Sequence, residues 1–394
     1  MTTPIEWTPA DALGRAMSSA GALGVRAVGA AVGGLASAGL ASARAIGADP
    51  DSIRPLVVAS PNFNGVAFTN LEPPTAGVAP DWKTMVDMAR RPGRPGAGIR
   101  VERPVFADDP RALAATWLGH ASVLVEVDGM RVLTDPVFSK RCSPSQTVGP
   151  ARMHPSPVTV ADLPALDVVL ISHDHYDHLD MATVVGIAAA QPDAVFVAPL
   201  GVAAHLHAWG ISHGRIRQAD LWGAVTLTGR TGTTVRFVCG PARHFSGRMF
   251  TRDLTQWASW AIVGPTHRVF FSGDTGYTER FADLGDRLGP FDLTLIAVGA
   301  YDPLWPDVHV DPEEAVAIHR MVSGSAGTDA VMLPIHWGTF SLARHAWADP
   351  IVRLLPAAGR NATTVMVPQP GGSIDLTHRQ GTGLTDPQWW ERSA

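Results

Sequence analysis

The pattern of apolar and polar positions along the chain predicts short buried strands that alternate with helices. An uninterrupted apolar run at 168–171 is typical of a strand buried on both faces. It precedes a predicted helix at 179–190, a strand at 194–198 and a helix at 202–210, and this βαβ order favours parallel pairing within one sheet. Further elements are predicted as strands at 235–239, 257–263, 268–271, 293–298 and 330–335, and as a helix at 312–320.

A tight hairpin is predicted where the main body of the chain begins. The apolar segments 121–127 and 130–133 flank the dipeptide Asp128-Gly129. Asp-Gly is a preferred sequence for a two-residue hairpin turn, because both positions of that turn need a positive φ. We therefore expect two antiparallel strands joined at this dipeptide.

The first 110 residues follow a different pattern. Residues 1–49 are rich in Ala and Gly and are expected to form a helical extension, although its uncharged run at 27–43 is too short and too weakly apolar to span a membrane. This extension has four open interpretations: packing on the body, on a second subunit or on a membrane surface, or no fixed structure. Prolines interrupt residues 50–110, where we predict a strap over the body with a helix only at 81–91. We assign the remaining residues, 111–394, to the catalytic domain.

Composition and charge narrow the class of protein. A chain of 394 residues with 46% hydrophobic content can bury a sizeable core. The net charge of −5 argues against a broad nucleic-acid surface, so no nucleic-acid partner is expected. Cys142 and Cys239 lack a paired spacing, which fits a reducing cytoplasm, although one bridge between them stays open. An acidic N-terminus is wrong for a secretory signal, so we expect a cytoplasmic location, with contact at the inner face of the membrane as an alternative.

The segment after the apolar run at 168–171 contains the densest group of metal-ligand residue types. Its candidates are His173, His175, Asp177 and His178. Polar side chains at the mouth of a core strand lose solvation, and a bound metal ion compensates that loss. Mixed imidazole and carboxylate ligands suit zinc, and manganese or iron are also accepted. The alternative is a polar loop with titrating surface histidines.

Three other predicted strands end in one candidate ligand each, namely His244, Asp274 and His336. The carboxyl ends of strands are where sites collect in α/β folds, so these residues are expected to meet the histidine cluster. Two imidazoles of the cluster and His244 would face one ion. Asp177, His178 and His336 would face a second ion, and Asp274 would bridge both. A pair of divalent ions about 3.5–4 Å apart activates a hydroxide nucleophile between them at neutral pH.

Two residues beside the hairpin are candidates for supporting roles. Asp135 follows the second hairpin strand, where a carboxylate could accept the other N–H of a ligating imidazole. His120 precedes the first strand. An ordinary turn residue is the alternative for each of them.

These residues together resemble the metallo-β-lactamase superfamily, and further motifs resemble its N-acyl phosphatidylethanolamine phospholipase D family. The motifs are Gly119-His120-Ala121-Ser122, Leu133-Thr134-Asp135-Pro136, Ser143-Pro144-Ser145-Gln146, Phe271-Ser272-Gly273-Asp274-Thr275-Gly276-Tyr277, Gly289-Pro290-Phe291-Asp292, His309-Val310-Asp311-Pro312-Glu313-Glu314-Ala315 and Ile335-His336-Trp337-Gly338-Thr339-Phe340. The resemblance implies a four-layer αβ/βα sandwich with a dinuclear zinc site. It implies one zinc on His173, His175 and His244, the other on Asp177, His178 and His336, and Asp274 between them.

The resemblance also implies a catalytic role for His309 beside the metals, together with the metal ligand Asp177. His309 would stabilise the phosphorane or protonate the leaving alkoxide, and its alternative is an ordinary histidine at a helix start. The implied reaction is phospholipase D cleavage of N-acyl phosphatidylethanolamine or a related glycerophospholipid. Segments 68–73 and 301–306 depart from the family pattern, so the substrate is left open.

Other functions and partners remain open at this point. The alternatives are a lactonase or another ester or amide hydrolase of the same fold, and a metal-binding scaffold without turnover. Besides the lipid or small ester substrate, the open partners are a membrane surface and a second copy of the chain. Trp305, in a proline-flanked loop, is the aromatic candidate for the pocket.

Overall fold

The computed structural model describes residues 39–75, 93–249, 251–324, 329–378, 380–381 and 388–391. The helix predicted at 81–91 and most of the N-terminal extension lie outside the described residues. Within the extension, residues 39–46 are helical. No described helix combines the length and the apolar composition that a membrane span requires.

The strands, in chain order, are β1 (Leu113–Trp117), β2 (Val123–Val127), β3 (Met130–Thr134), β4 (Val168–Leu170), β5 (Val195–Pro199), β6 (Ile216–Ala219), β7 (Ala224–Thr228), β8 (Thr234–Gly240), β9 (Gly247–Arg248), β10 (Thr251–Arg252), β11 (Ser259–Val263), β12 (Arg268–Phe271), β13 (Leu293–Ala297), β14 (Val331–Ile335), β15 (Thr364–Val365), β16 (Ser373–Asp375) and β17 (Gln380–Gly381). The helices are α1 (Pro50–Val57), α2 (Met181–Ala190), α3 (Val202–Ala208), α4 (Arg280–Leu288), α5 (Pro312–Ser323) and α6 (Asp349–Arg360).

In the described part of the chain these strands form two mixed sheets. The first has the order β17-β16-β1-β2-β3-β4-β5-β6, with parallel pairing from β3 to β6 and antiparallel pairing elsewhere. The second has the order β15-β14-β13-β12-β11-β8-β7, with parallel pairing from β12 to β15. Strands β9 and β10 form a separate short hairpin.

Apolar side chains on both faces of the strands produce four layers. In β2, Val123 and Val125 belong to the core that also contains Phe237 and Phe270 of the second sheet. Leu124, between them, points to the opposite face and packs in the cluster formed with α2 and α3. Helices α4, α5 and α6 bury their apolar faces in the same core cluster as the second sheet. The architecture is therefore the predicted αβ/βα sandwich. Strands that are covered on both faces need continuous apolar runs, which is why the sequence pattern could indicate them.

The predicted hairpin is confirmed and one predicted feature of the strap is wrong. Asp128 and Gly129 have φ values of 47° and 85° and join β2 to β3. Residues 50–110 were expected to be helical only at 81–91, but α1 begins at Pro50. The Asp49 side chain accepts a hydrogen bond from the Ser52 N–H, and proline fits the first helical position.

Both cysteines are buried and form no disulfide, so the bridge that the sequence left open between Cys142 and Cys239 is not formed. Two helices that the sequence pattern did not predict, α4 and α6, cover the second sheet. Strands β1, β6 and β7 were also missed, and β6 and β7 are partly exposed and lack a continuous apolar run.

Tryptophan side chains pack the C-terminal segment against residues that follow β14. The Trp389 ring lies 5.3 Å from that of Trp337 and 6.0 Å from that of Trp347. Its indole N–H donates to the Val367 carbonyl at 3.1 Å. Because Trp337 directly follows His336, this packing supports the end of a strand that reaches the candidate site.

We predict that Trp389→Ala lowers the free energy of unfolding by about 3–5 kcal/mol, the usual loss for a fully buried aromatic ring. Urea denaturation followed by circular dichroism measures this loss. The control is Glu391→Ala, an exposed position in the same segment. Equal midpoints for the two variants would contradict the assigned packing.

Candidate metal centre

The seven predicted ligand residues meet at one edge of the sandwich. His173, His175, Asp177 and His178 lie in the loop between β4 and α2, so they come from the first sheet. The second sheet supplies the residues that follow β8, β12 and β14, which are His244, Asp274 and His336. Each sheet therefore contributes ligand-type side chains from the carboxyl ends of its strands.

Three imidazoles form the first group of potential ligand atoms. His173 Nε2 lies 2.8 Å from His175 Nδ1, which lies 3.3 Å from His244 Nε2. Burial and the neighbouring imidazoles hold the pKa of His173 well below its usual value, and burial does the same for His244. Neutral rings present lone pairs, and three lone pairs directed at one point suit a cation.

A carboxylate and two imidazoles form the second group. Asp177 Oδ2 lies 3.5 Å from His178 Nε2 and 3.3 Å from His336 Nε2. Burial lowers the pKa of His336, but the charge of Asp274 and a hydrogen bond with Asp177 outweigh burial and raise it to about 9. The two carboxylates therefore stabilise positive charge in this half of the centre.

Asp274 lies between the two groups. Its Oδ2 atom is 3.0 Å from His178 Nε2 and 3.1 Å from His336 Nε2. The same oxygen is 4.0 Å from His173 Nε2 and 3.8 Å from His244 Nε2. Burial raises the pKa of this carboxyl, but the nearby imidazoles outweigh burial and hold it well below its usual value. The carboxylate is thus ionised and faces both groups.

The residues present fit a pair of divalent ions. Ligand atoms about 2.0–2.2 Å from one zinc ion lie about 3.3–3.6 Å apart in a tetrahedron. Asp177 Oδ2 lies 3.3–3.5 Å from the Nε2 atoms of His178 and His336, and Asp274 Oδ2 lies 3.0–3.1 Å from the same two atoms. Asp274 Oδ1 is buried and makes no hydrogen bond to any described residue. Buried atoms without such a bond are costly, and coordination would satisfy them.

Residues behind the two groups fix the orientation of the rings. Asp135 Oδ2 accepts from His178 Nδ1 at 2.6 Å and from the Ser172 hydroxyl at 2.5 Å. Ser172 Oγ also lies 2.9 Å from His173 Nδ1. The supporting role that the sequence suggested for Asp135 is therefore seen in its contacts. Gly273 is required here, because it has a φ of 55° and a Cβ would lie 2.7 Å from the Ser172 Cβ.

His120 lies inside the cluster, which the sequence pattern did not establish. Its Nε2 lies 3.0 Å from Asp177 Oδ2, and its ring lies 4.0 Å from that of His336. Burial lowers the pKa of His120 to about 3, so the ring is neutral. The available signal was the motif Gly119-His120-Ala121-Ser122, which is part of the family resemblance but was not assigned to the cluster.

The other predicted site residues lie around this centre. His309 is partly exposed, and its Nδ1 lies 3.9 Å from Asp274 Oδ2. Burial lowers the pKa of His309 to about 3. Trp305 is partly buried, and its indole donates to the Ala300 carbonyl at 2.9 Å, which holds the ring on its own loop.

Comparison with known proteins supports the family resemblance. The sequence-family model described as the beta-lactamase superfamily domain matches residues 130–337 of this chain. An uncharacterized protein of Mycobacterium tuberculosis is 48% identical over 354 residues, which cover 88% of this chain and 91% of that protein. N-acyl-phosphatidylethanolamine-hydrolyzing phospholipase D 1 of Caenorhabditis elegans is 39% identical over 248 residues, which cover 60% of this chain and 68% of that protein.

A solved structure shows the same fold. Igni18, a metallo hydrolase from Ignicoccus hospitalis, superposes with a TM-score of 0.50 at 22% sequence identity, covering 66% of this chain and 97% of that chain. Fold, matched domain and relatives agree. The chain therefore belongs to the beta-lactamase superfamily as a metal-dependent hydrolase of the metallo-β-lactamase fold, and it resembles the N-acyl phosphatidylethanolamine phospholipase D family.

Proposed function

We propose that this protein is a dinuclear zinc phosphodiesterase that cleaves N-acyl phosphatidylethanolamine or a related glycerophospholipid. The observation that carries the proposal is the single carboxylate oxygen of Asp274, which lies within 4.0 Å of imidazoles from both groups. One oxygen shared in this way suits two ions rather than one. The similarity to the Caenorhabditis elegans enzyme supports the choice of substrate.

In this proposal the chain holds the ions and orients the substrate. His173, His175 and His244 would hold one ion, Asp177, His178 and His336 would hold the second, and Asp274 faces both groups. When bound, two divalent ions lower the pKa of a water molecule and neutralise charge that develops on a phosphoryl group. Water supplies the new P–O bond, the bond to the ethanolamine oxygen breaks, and the leaving alcohol takes the proton. The products are phosphatidic acid and an N-acylethanolamine.

His309 is proposed to act on the phosphoryl group. Its ring lies 5.2 Å from that of His244 and 5.1 Å from that of His336, so it faces both halves of the centre. Its Nδ1 makes no hydrogen bond to any described residue. A neutral imidazole at this position can direct an N–H at an oxygen whose negative charge grows during the reaction.

A cavity beside His244 supports a substrate with an apolar part. It has a volume of about 370 Å³, within the range of ligand sites. Phe68, Leu71, Phe245 and Trp257 contribute apolar walls. A lipid chain suits such walls better than a small polar lactone does, which favours the phospholipase over the lactonase among the alternatives.

We predict that the purified, zinc-loaded protein releases phosphatidic acid from vesicles containing N-acyl phosphatidylethanolamine. Mass spectrometry of the lipid extract detects both products. Activity should disappear after treatment with a chelator and return when zinc is added back. Opening of a lactone without any metal-dependent release of phosphatidic acid would refute the substrate while leaving the metal centre in place.

Asp274→Ala is expected to remove metal binding and activity together, because it deletes the oxygen shared by both groups. The metal content per chain is measured by elemental analysis after dialysis. The matched control is Asp283→Ala, a half-exposed carboxylate on α4 that pairs with Arg280. Full activity in the Asp274 variant would overturn the ligand assignment.

His309→Gln is expected to lower kcat by about 10²–10³, the usual loss when one donor to a developing oxyanion is removed. The metal content should stay unchanged, since this residue is not among the proposed ligands. Steady-state kinetics and elemental analysis of the same preparation test both statements. His207→Gln, which changes an exposed histidine on α3, is the control. Unchanged kcat in the His309 variant would remove this residue from the mechanism.

A further inference from the structure

A segment far from the histidine motif in sequence borders the metal centre. Residues 68–75, called here the site strap, run past the loop that carries His244. The Phe68 N–H donates to the Asp253 carbonyl at 2.8 Å, and Glu72 accepts from the Thr278 hydroxyl at 2.5 Å. The strap is thus fixed to the segments that follow β10 and β12.

Asn70 makes the most specific of these contacts. Its Oδ1 accepts from the His244 backbone N–H at 2.9 Å, and its Nδ2 donates to the His244 carbonyl at 2.8 Å. The side-chain amide therefore satisfies both backbone groups of one residue, as a neighbouring strand would. The indole N–H of Trp257 also donates to Asn70 Oδ1, at 3.1 Å, which fixes the amide itself. Asn70 and His244 are 174 positions apart in the chain.

A second set of contacts fixes the other side of the His244 ring. His244 Nδ1 lies 2.9 Å from the Val308 carbonyl. The neighbouring Asp307 accepts from the Thr75 N–H at 2.6 Å and pairs with Arg243 at 2.9 Å. Strap residues therefore hold the backbone of His244 through Asn70, and Thr75 holds the side chain of Asp307, the residue before the one whose carbonyl contacts the ring.

The other half of the centre has different support. None of the hydrogen bonds formed by residues 60–75 reaches Asp177, His178 or His336. In that half, His178 is hydrogen-bonded to Asp135, and Asp177 is hydrogen-bonded to His120. A defect in the strap should therefore affect the three-imidazole group alone.

We propose that Asn70 is a positioning residue for the metal ion held by the three-imidazole group, and that the site strap is a structural part of that half of the centre. This inference rests on the proposed ligand role of His244. A side chain that orients a ligand typically accounts for about 10–100-fold in metal affinity. Loss of the Asn70 amide should lower the affinity for one of the two ions by that factor.

The test is a titration of metal-free protein with Co²⁺, followed by visible absorption and by elemental analysis after dialysis. Asn70→Ala should bind one ion with unchanged affinity and the other about 10–100-fold more weakly. Asn70→Asp keeps the acceptor for the His244 and Trp257 N–H groups and loses the donor, so its defect should be smaller. The matched control is Asn62→Ala, which removes a bond from the same region to Asp220, away from the centre.

Three results would overturn the inference. The first is a Co²⁺ titration of Asn70→Ala that matches the wild type. The second is equal weakening of both ions, with a fall in the unfolding midpoint that Asn62→Ala reproduces, because that pattern shows general destabilisation. The third is unchanged Co²⁺ binding in His244→Ala, which would remove the ligand role itself.

If Asn70→Ala does not fold, Asn70→Asp alone tests the inference. Weaker binding of one ion by this variant supports the inference, and unchanged binding of both ions overturns it. None of these readouts depends on the lipid substrate.

Discussion

The site depends on the mutual proximity of ionisable side chains that are buried at the carboxyl edge of two sheets. Imidazoles and carboxylates this close to one another are stable only when their charges and lone pairs are compensated. The ionised Asp274 and Asp177 attract cations, and the neutral His173 and His244 offer nitrogen lone pairs. A pair of divalent ions satisfies both demands, so folding of this edge and metal binding are expected to be coupled.

Backbone strain is also present at the same edge. His120, Asp135 and His336 have φ values of 54°, 33° and 62°, in the left-handed region that L-residues rarely occupy. Each of them stands one to three residues beyond a strand, where the chain leaves the sheet and turns a side chain into the centre. Such conformations cost of order 1–3 kcal/mol each and persist when the surrounding structure enforces them. Here the apolar strands below and the tryptophan cluster behind β14 supply that rigid support.

The sequence was sufficient for the strands that lead into the candidate ligands and for the residues that end them, because both are local signals. Continuous apolar runs indicated β4, β8, β12, β13 and β14, and a histidine or aspartate follows four of them within a few residues. The role of Asn70 could not be predicted in this way. Its partner is a backbone group 174 residues away, and an amide in a proline-rich segment leaves no periodic pattern. Helix α1 was missed for a different reason: prolines usually interrupt helices, but Pro50 occupies the first helical position, which favours helix initiation.

The distribution of ligands between the sheets has a further physical consequence. In the proposed assignment the first ion takes His173 and His175 from the end of β4 and His244 from the end of β8, which belong to different sheets. The second ion likewise joins the loop after β4 to the residue after β14. Each ion would therefore tie the two sheets together at the edge where the apolar core between them ends. Because ions that bind only the folded state stabilise it, the metal centre and the apolar core would stabilise the same arrangement of sheets. This explains why one face of the sandwich can consist of costly polar groups while the rest remains closely packed.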